Sequence, residues 1–193
     1  MNRLIGIDEA GRGPLAGPVS VGAVIVRADF NKKFFKGIKD SKKLSKEDRE
    51  LWFSLAIESK KRDELDFAVS LVSENVIDKH GIAFAIRLGI KRCLQKIKAT
   101  PDDQIFLDGA LYAPEEFSHQ LTVIRGDEKI PVISLASVCA KVTRDRYMVK
   151  ISKKYPEYGF HINKGYGTLM HRTAIKKYGI ADPHRTSFLR KLT

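Results

Sequence analysis

Apolar positions along the chain follow two rhythms. Short runs of four to eight residues predict strands at Leu4–Ile7, Val19–Val26, Leu65–Val72, Gln104–Leu107 and Leu121–Ile124. Longer stretches with apolar residues every three or four positions predict helices. One starts at Ser45, a serine N-cap with acids in the first turn, and continues through Leu51, Leu55 and Ile57. A second covers Ser73–Lys98, with Val76, Ile77, Ala83, Ile86, Ile90, Leu94 and Ile97 near helical spacing and Gly81 dividing it. The longest, Ser134–Tyr155, carries Leu135, Val138, Cys139 and Val142 and stops at Pro156. Glycine and proline crowd residues 11–18, so the first two strands are expected to form a hairpin or tight return. Residues 32–43 read as a basic loop.

Leading strands followed by strand–helix alternation predict an α/β protein with a mixed sheet flanked by helices. The chain is expected to divide into a core over 1–155 and a basic helical extension over 156–193, packed together as one structural unit. With 193 residues, one domain suffices.

Polar residues at strand ends change the picture. The first strand ends in Asp8 and Glu9, the fourth in Asp108 and the fifth in Asp127. Asp-Gly after a strand is an ordinary turn, and Asp108 alone needs no more explanation than that. Asp8-Glu9 is different, because adjacent acids on a strand point to opposite faces and one must turn inward. If the three strands are neighbours, four carboxylates converge. They cannot share a small space without cations. An all-oxygen donor set favours Mg²⁺ or Mn²⁺ over Zn²⁺.

Charge supplies the partner. The formal net charge is +12. Residues 141–193 hold thirteen Lys or Arg against three Asp or Glu, leaving twenty-two against twenty in the first 140. A polyanion is the expected ligand, and nucleic acid fits best. Acids beside a basic surface suggest metal-assisted phosphoryl transfer. A pure nucleic-acid binder is the competing reading, but strand-end acids would repel its ligand. No nucleophile elbow or P-loop pattern occurs. No apolar run is long enough to span a bilayer, and the N-terminus lacks a signal pattern, so a cytoplasmic protein is expected. Cys93 and Cys139 read as buried thiols, and His161, His171 and His184 are too irregularly spaced for a metal site.

The segments GIDEAGRGPLAGPV (6–19), DSKKLS (40–45), FLDG (106–109), RGD (125–127), ASVCAKVTRDRYM (136–148), KGYGT (164–168) and HRTSF (184–188) occur in that order. Together they strongly resemble bacterial ribonuclease HII, the type 2 ribonuclease H, over nearly the whole chain. Arg12 within Gly11-Arg12-Gly13 distinguishes it from the related ribonuclease HIII. The resemblance implies a ribonuclease H-like five-stranded mixed sheet with a C-terminal helical extension. It implies endonucleolytic cleavage of RNA in RNA/DNA hybrids, and incision 5′ of single ribonucleotides in duplex DNA, leaving 3′-hydroxyl and 5′-phosphate ends. Such activity serves ribonucleotide and primer removal.

Carried onto this chain, the resemblance makes Asp8, Glu9, Asp108 and Asp127 the catalytic acids and ligands of a two-ion Mg²⁺ or Mn²⁺ site. Asp8 is the expected bridging ligand. Gly11, Arg12 and Gly13 become the loop that reads the 2′-hydroxyl, and Tyr166 the ring that stacks on the sugar 3′ to the ribonucleotide. Lys42, Lys43, Lys141, Lys164, His184 and Arg185 are expected phosphate contacts. Asp145 is expected to pair with Lys141 at helical spacing rather than to bind metal. The chain is expected to act as a monomer without an obligate protein partner. Its end, FLRKLT, shows no clear clamp-binding motif.

Overall fold

A computed structural model describes residues 3–189. The elements in chain order are β1 (Arg3–Ala10), β2 (Val19–Arg27), α1 (Lys46–Lys61), β3 (Leu65–Val72), α2 (Glu74–His80), α3 (Ile82–Lys96), β4 (Gln104–Asp108), β5 (Gln120–Val123), α4 (Gly126–Lys129), α5 (Pro131–Ser152), α6 (Phe160–Asn163), α7 (Leu169–Tyr178) and α8 (Thr186–Leu189). Single 3₁₀ turns occupy Lys32–Phe35 and Pro156–Tyr158. The last residues of the basic tail, 190–193, lie outside the described set, and with them most of the FLRKLT end.

The five strands form one mixed sheet in the order β3-β2-β1-β4-β5. β1 pairs antiparallel with β2 and parallel with β4, which places it at the centre. Its side chains alternate between two cores. Ile5 and Ile7 join Val21, Ile86, Ile90 and Leu107 under α2 and α3. Leu4 faces Leu135 and Val138 of α5, together with Trp52 and Phe53 of α1. Ser45 caps α1 as its sequence predicts, its Oγ accepting from the Asp48 amide at 2.9 Å. The buried stripe of α1 is Trp52, Phe53 and Ala56, while the expected Leu51 is exposed.

Helix α5 lies directly against the backbone of the sheet. A Cβ on Gly6 would sit 2.3 Å from the Val132 carbonyl carbon, and one on Gly22 would sit 2.3 Å from the Ala136 oxygen. These two glycines let the long helix approach the central strands. α5 starts three residues earlier than the spacing predicts, because Pro131 is well suited to a first helical turn.

Two expectations about strand ends are corrected. β1 does not end before Asp8. It continues through Ala10, with Asp8 opposite Gly22 and Glu9 opposite Val21 on β2. Asp127 does not close a strand either. Arg125 turns the chain in the left-handed region at φ 54°, and Asp127 sits on the short α4 that follows.

The segment after α5 packs against α5 and the glycine-rich loop. Tyr158, Phe160, Ala174, Ile175 and Leu189 share a cluster with Met148 of α5 and Ala16 of the glycine-rich loop. Gly17 donates to the Pro183 carbonyl at 2.7 Å, and Arg185 to the Leu15 carbonyl at 2.8 Å, so the two segments run side by side.

Candidate active site

Alternation decides which acids meet. Leu4, Gly6 and Asp8 of β1 face α5, as do Phe106 and Asp108 of β4. Ile7 and Leu107 are partners in the parallel register, so Asp8 and Asp108 emerge as neighbours one residue beyond. Asp127 arrives from α4. Carboxylate oxygens of Asp8, Asp108 and Asp127 all lie within 4.8 Å of one another. Glu9 starts on the opposite face of β1. Its carboxylate stays outside that tight group and reaches Arg12 at 3.6 Å.

Each acid is held by the backbone or by a hydroxyl. Asp108 Oδ1 accepts from the amides of Gly126 at 2.7 Å and Asp127 at 3.3 Å, which fixes the start of α4 to the end of β4. Ser134 Oγ donates to the Asp127 carbonyl at 2.7 Å. Asp8 Oδ1 accepts from the Glu9 amide at 2.7 Å, and the nearby Ser137 side chain of α5 favours the charged form of Asp8. Ser137 in turn lies 2.8 Å from the Ser41 hydroxyl. The two hydroxyls form a buried serine pair behind Asp8.

The electrostatics match a cation site. Burial, then repulsion from Glu9 and Asp108, holds Asp8 well above the usual carboxylate range. Glu9 is also raised, by burial and by Asp108, against the pull of Arg12. Asp127 is pushed up to about 6 by burial, by Asp108 and by Asp40. Lys42 Nζ stands 3.7 Å from Asp127 Oδ2. Desolvation opposes the Lys42 charge, but Asp40, Asp127, Asp8 and Asp108 outweigh it and raise its pKa. One exposed ammonium does not neutralise three crowded acids. Their hard oxygen donors fit a divalent cation of the Mg²⁺ class, and these are the side chains that would hold it.

A stability test follows from the signs. Asp8 and Asp127 bind protons more readily in the folded chain than in the unfolded one. Their protonated forms stabilise the fold, and that contribution is lost as pH rises through about 6. A bound cation relieves the repulsion that remains. The rise in Tm on adding Mg²⁺ or Mn²⁺ is therefore expected to be larger near about pH 8 than near about pH 5. Equal rises by calorimetry at both values would contradict the cluster as the binding site.

The remaining predicted residues divide. Gly11 takes φ 88°, while Arg12 and Gly13 are exposed at the turn that follows β1. The Gly165 carbonyl accepts from the Leu15 amide at 2.8 Å, which brings the KGYG segment against the glycine-rich loop. Tyr166 is 43% exposed, with its ring 5.9 Å from Lys141 Nζ. Lys42 and Lys43 stand beside the acids, Lys43 pairing with Glu128 at 2.8 Å. Lys141 pairs with Asp145 at 2.8 Å, as its spacing predicts. The Lys164 ammonium folds back onto the His161 carbonyl.

Two phosphate-contact expectations are corrected. Arg185 is fully buried, with its guanidinium donating to the carbonyls of Gly11, Arg12 and Gly17. His184 is buried too, its Nε2 lying 3.1 Å from Nε2 of His171. Neither side chain reaches the surface. Sequence reading also missed Asp40, buried beside Asp127, and the Ser41–Ser137 pair behind Asp8. Only their motif company could have drawn attention to them.

A cavity of about 580 Å³ adjoins Tyr166. Lys46, Arg49, Lys141, Arg146 and Lys164 line it together with Glu50 and Asp145, so the lining beside the tyrosine is net basic. Among the described residues, no helix is long and apolar enough to cross a membrane.

Comparison with known proteins agrees with this arrangement. The sequence model of the family described as ribonuclease HII matches residues 5–191. Ribonuclease HII of Caldicellulosiruptor bescii is 41% identical over 189 residues, covering 98% of this chain and 87% of that one. The crystal structure of ribonuclease H2 from Pyrococcus horikoshii superimposes with a TM-score of 0.76 at 29% identity, covering 98% and 96% of the two chains. Ribonuclease HII from Archaeoglobus fulgidus, solved in complex with PCNA, gives a TM-score of 0.74 at 28% identity, with 94% and 93% covered. The sheet is thus a ribonuclease H-like one, and the chain belongs to the ribonuclease HII family, endoribonucleases that act on RNA in RNA/DNA hybrids.

Proposed function

We propose that this chain incises duplex DNA on the 5′ side of single embedded ribonucleotides as well as cleaving longer hybrids. The observation that carries this reading is the adjacency of the three-carboxylate cluster to a loop of exposed backbone at Arg12 and Gly13. The acids supply the chemistry of phosphodiester hydrolysis, and bare backbone beside them can approach a sugar closely enough to detect one 2′-hydroxyl, the group that separates RNA from DNA.

Asp8, Asp108 and Asp127, with Glu9 completing the set, would hold two divalent ions, Mg²⁺ or Mn²⁺, and such ions would supply acidification of a water and charge stabilisation for the leaving oxygen. Water attacks phosphorus in line, and the bond to the upstream 3′-oxygen breaks. The 3′-oxygen leaves as a hydroxyl, and the phosphate stays on the ribonucleotide. The Glu9 amide, bonded to Asp8 Oδ1, keeps Asp8 aimed at the reaction centre. Lys42 offers a cation beside Asp127 for the scissile phosphate. Backbone phosphates further along lie against the basic cavity beyond Tyr166.

Tyr166 stacks on the sugar that follows the ribonucleotide. Its exposure and its place against the glycine-rich loop support that role. Tyr166→Ala is expected to lower kcat/KM on a singly substituted duplex by about tenfold or more, the scale of a lost stacking contact. Unchanged activity on that substrate would remove the junction role. The whole reading is tested by incubating a labelled duplex that carries one ribonucleotide with the protein and Mg²⁺ or Mn²⁺, and mapping the cut. Cytoplasmic ribonucleotide removal is the setting this activity suits.

A further inference from the structure

Arg144 and Arg185 are the two largest side chains that are fully buried. Neither forms an ion pair among the described residues, although a buried unpaired charge is costly. All their hydrogen bonds go to backbone carbonyls. Arg144 donates to Pro18 at 2.8 Å, Ala16 at 3.0 Å and Lys164 at 2.9 Å. Arg185 donates to Gly17 at 2.8 Å, Arg12 at 3.0 Å and Gly11 at 2.7 Å. The fork geometry of guanidinium lets one side chain hold three carbonyls at once.

The direction of these bonds has a consequence. All peptide bonds described are trans, so the N–H of each residue points opposite to the preceding carbonyl. With the Gly11 and Arg12 carbonyls turned inward to Arg185, the amides of Arg12 and Gly13 turn outward. Neither amide donates to a protein acceptor among the described residues. Two adjacent outward donors form a ready-made acceptor site. Arg144 sets where that site stands. A Cβ on Gly11 would fall 2.0 Å from Arg144 Nε, so the loop rests on this side chain. The same guanidinium holds the Lys164 carbonyl, two residues before Tyr166.

We propose that Arg144 and Arg185 are positioning residues for sugar recognition, holding the Arg12 and Gly13 amides outward as a preformed acceptor site at a fixed distance from Tyr166. The inference rests on the ribonucleotide reading above. The spent carbonyls explain why a charge is buried here without a carboxylate. A lysine in either position keeps the charge but cannot bond three diverging carbonyls.

The test is binding of two duplexes that differ by one 2′-hydroxyl, measured in an Asp8→Asn background with Mg²⁺ so that both remain intact. The parent is expected to prefer the ribonucleotide duplex. Arg185→Lys and Arg144→Lys, shown folded by circular dichroism, are expected to lose about tenfold of that preference. Full preference in a folded variant overturns the proposal. Absence of preference in the parent overturns the ribonucleotide reading beneath it. If neither variant folds, ¹⁵N NMR of the parent decides. Arg12 and Gly13 amide shifts that respond to the ribonucleotide duplex, and not to its all-deoxy partner, support the proposal. Equal responses to both duplexes overturn it.

Discussion

Asp8→Asn is expected to lower cleavage by about a thousandfold or more while duplex binding stays measurable. Asp8 is 4% exposed, central in the sheet, and within reach of both Asp108 and Asp127. Asparagine matches its shape and can keep accepting from the Glu9 amide. It removes the negative charge and offers one weaker oxygen ligand in place of two. The loss therefore falls on chemistry rather than on folding. Because Asp8 is raised by burial and by like charge, the substitution also relieves repulsion when no cation is present. The variant should melt at or above the parent in chelator and gain less on adding Mg²⁺. Turnover within about tenfold of the parent would rule Asp8 out as the central ligand.

Gly6→Ala is expected to destabilise the fold by about 3 kcal/mol, a fall of about 10 °C in Tm. The added Cβ would meet three backbone atoms, the Val132 carbonyl carbon at 2.3 Å, the Ile133 nitrogen at 2.5 Å and the Val132 oxygen at 2.5 Å. No side chain can rotate aside, so α5 must move off β1. That movement withdraws Ser137 from Asp8, and activity should fall even below the melting temperature. Wild-type Tm and activity in this variant would show that α5 does not need the glycine to seat.

Much of the architecture was legible because each strand carries an apolar run and each long helix a regular stripe. β3 falls at Leu65–Val72, where its alternation places it, and Gly81 divides α2 from α3. The acids were legible through their motifs and through adjacent charges that no core explains. The end of β1 was not. Apolar patterning stops at Ile7, yet pairing continues to Ala10, because main-chain pairing with β2 does not depend on apolar side chains. Asp127 looked like a strand end because an RGD segment reads as a turn, and only the structure shows the left-handed Arg125 leading into α4.

Charge was the most misleading signal. Counting basic residues assigns Arg144 and Arg185 to a nucleic-acid surface. The fold buries both, since six carbonyls of two loops converge on them from segments far apart in sequence. His171 and His184, spaced irregularly, likewise meet in a buried pair under Tyr158 and Phe160. Such groups are defined by long-range contacts, and local pattern carries no trace of them.

The central claim is that the acid cluster and the glycine loop act together on a single ribonucleotide. Its most direct measurement uses a labelled DNA duplex with one ribonucleotide, incubated with and without Mg²⁺ or Mn²⁺ beside an all-DNA control. The account predicts one metal-dependent cut on the 5′ side of the ribonucleotide, with 3′-hydroxyl and 5′-phosphate ends, and an intact control. Cleavage of the all-DNA duplex, or an intact ribonucleotide duplex in the presence of metal, would contradict it.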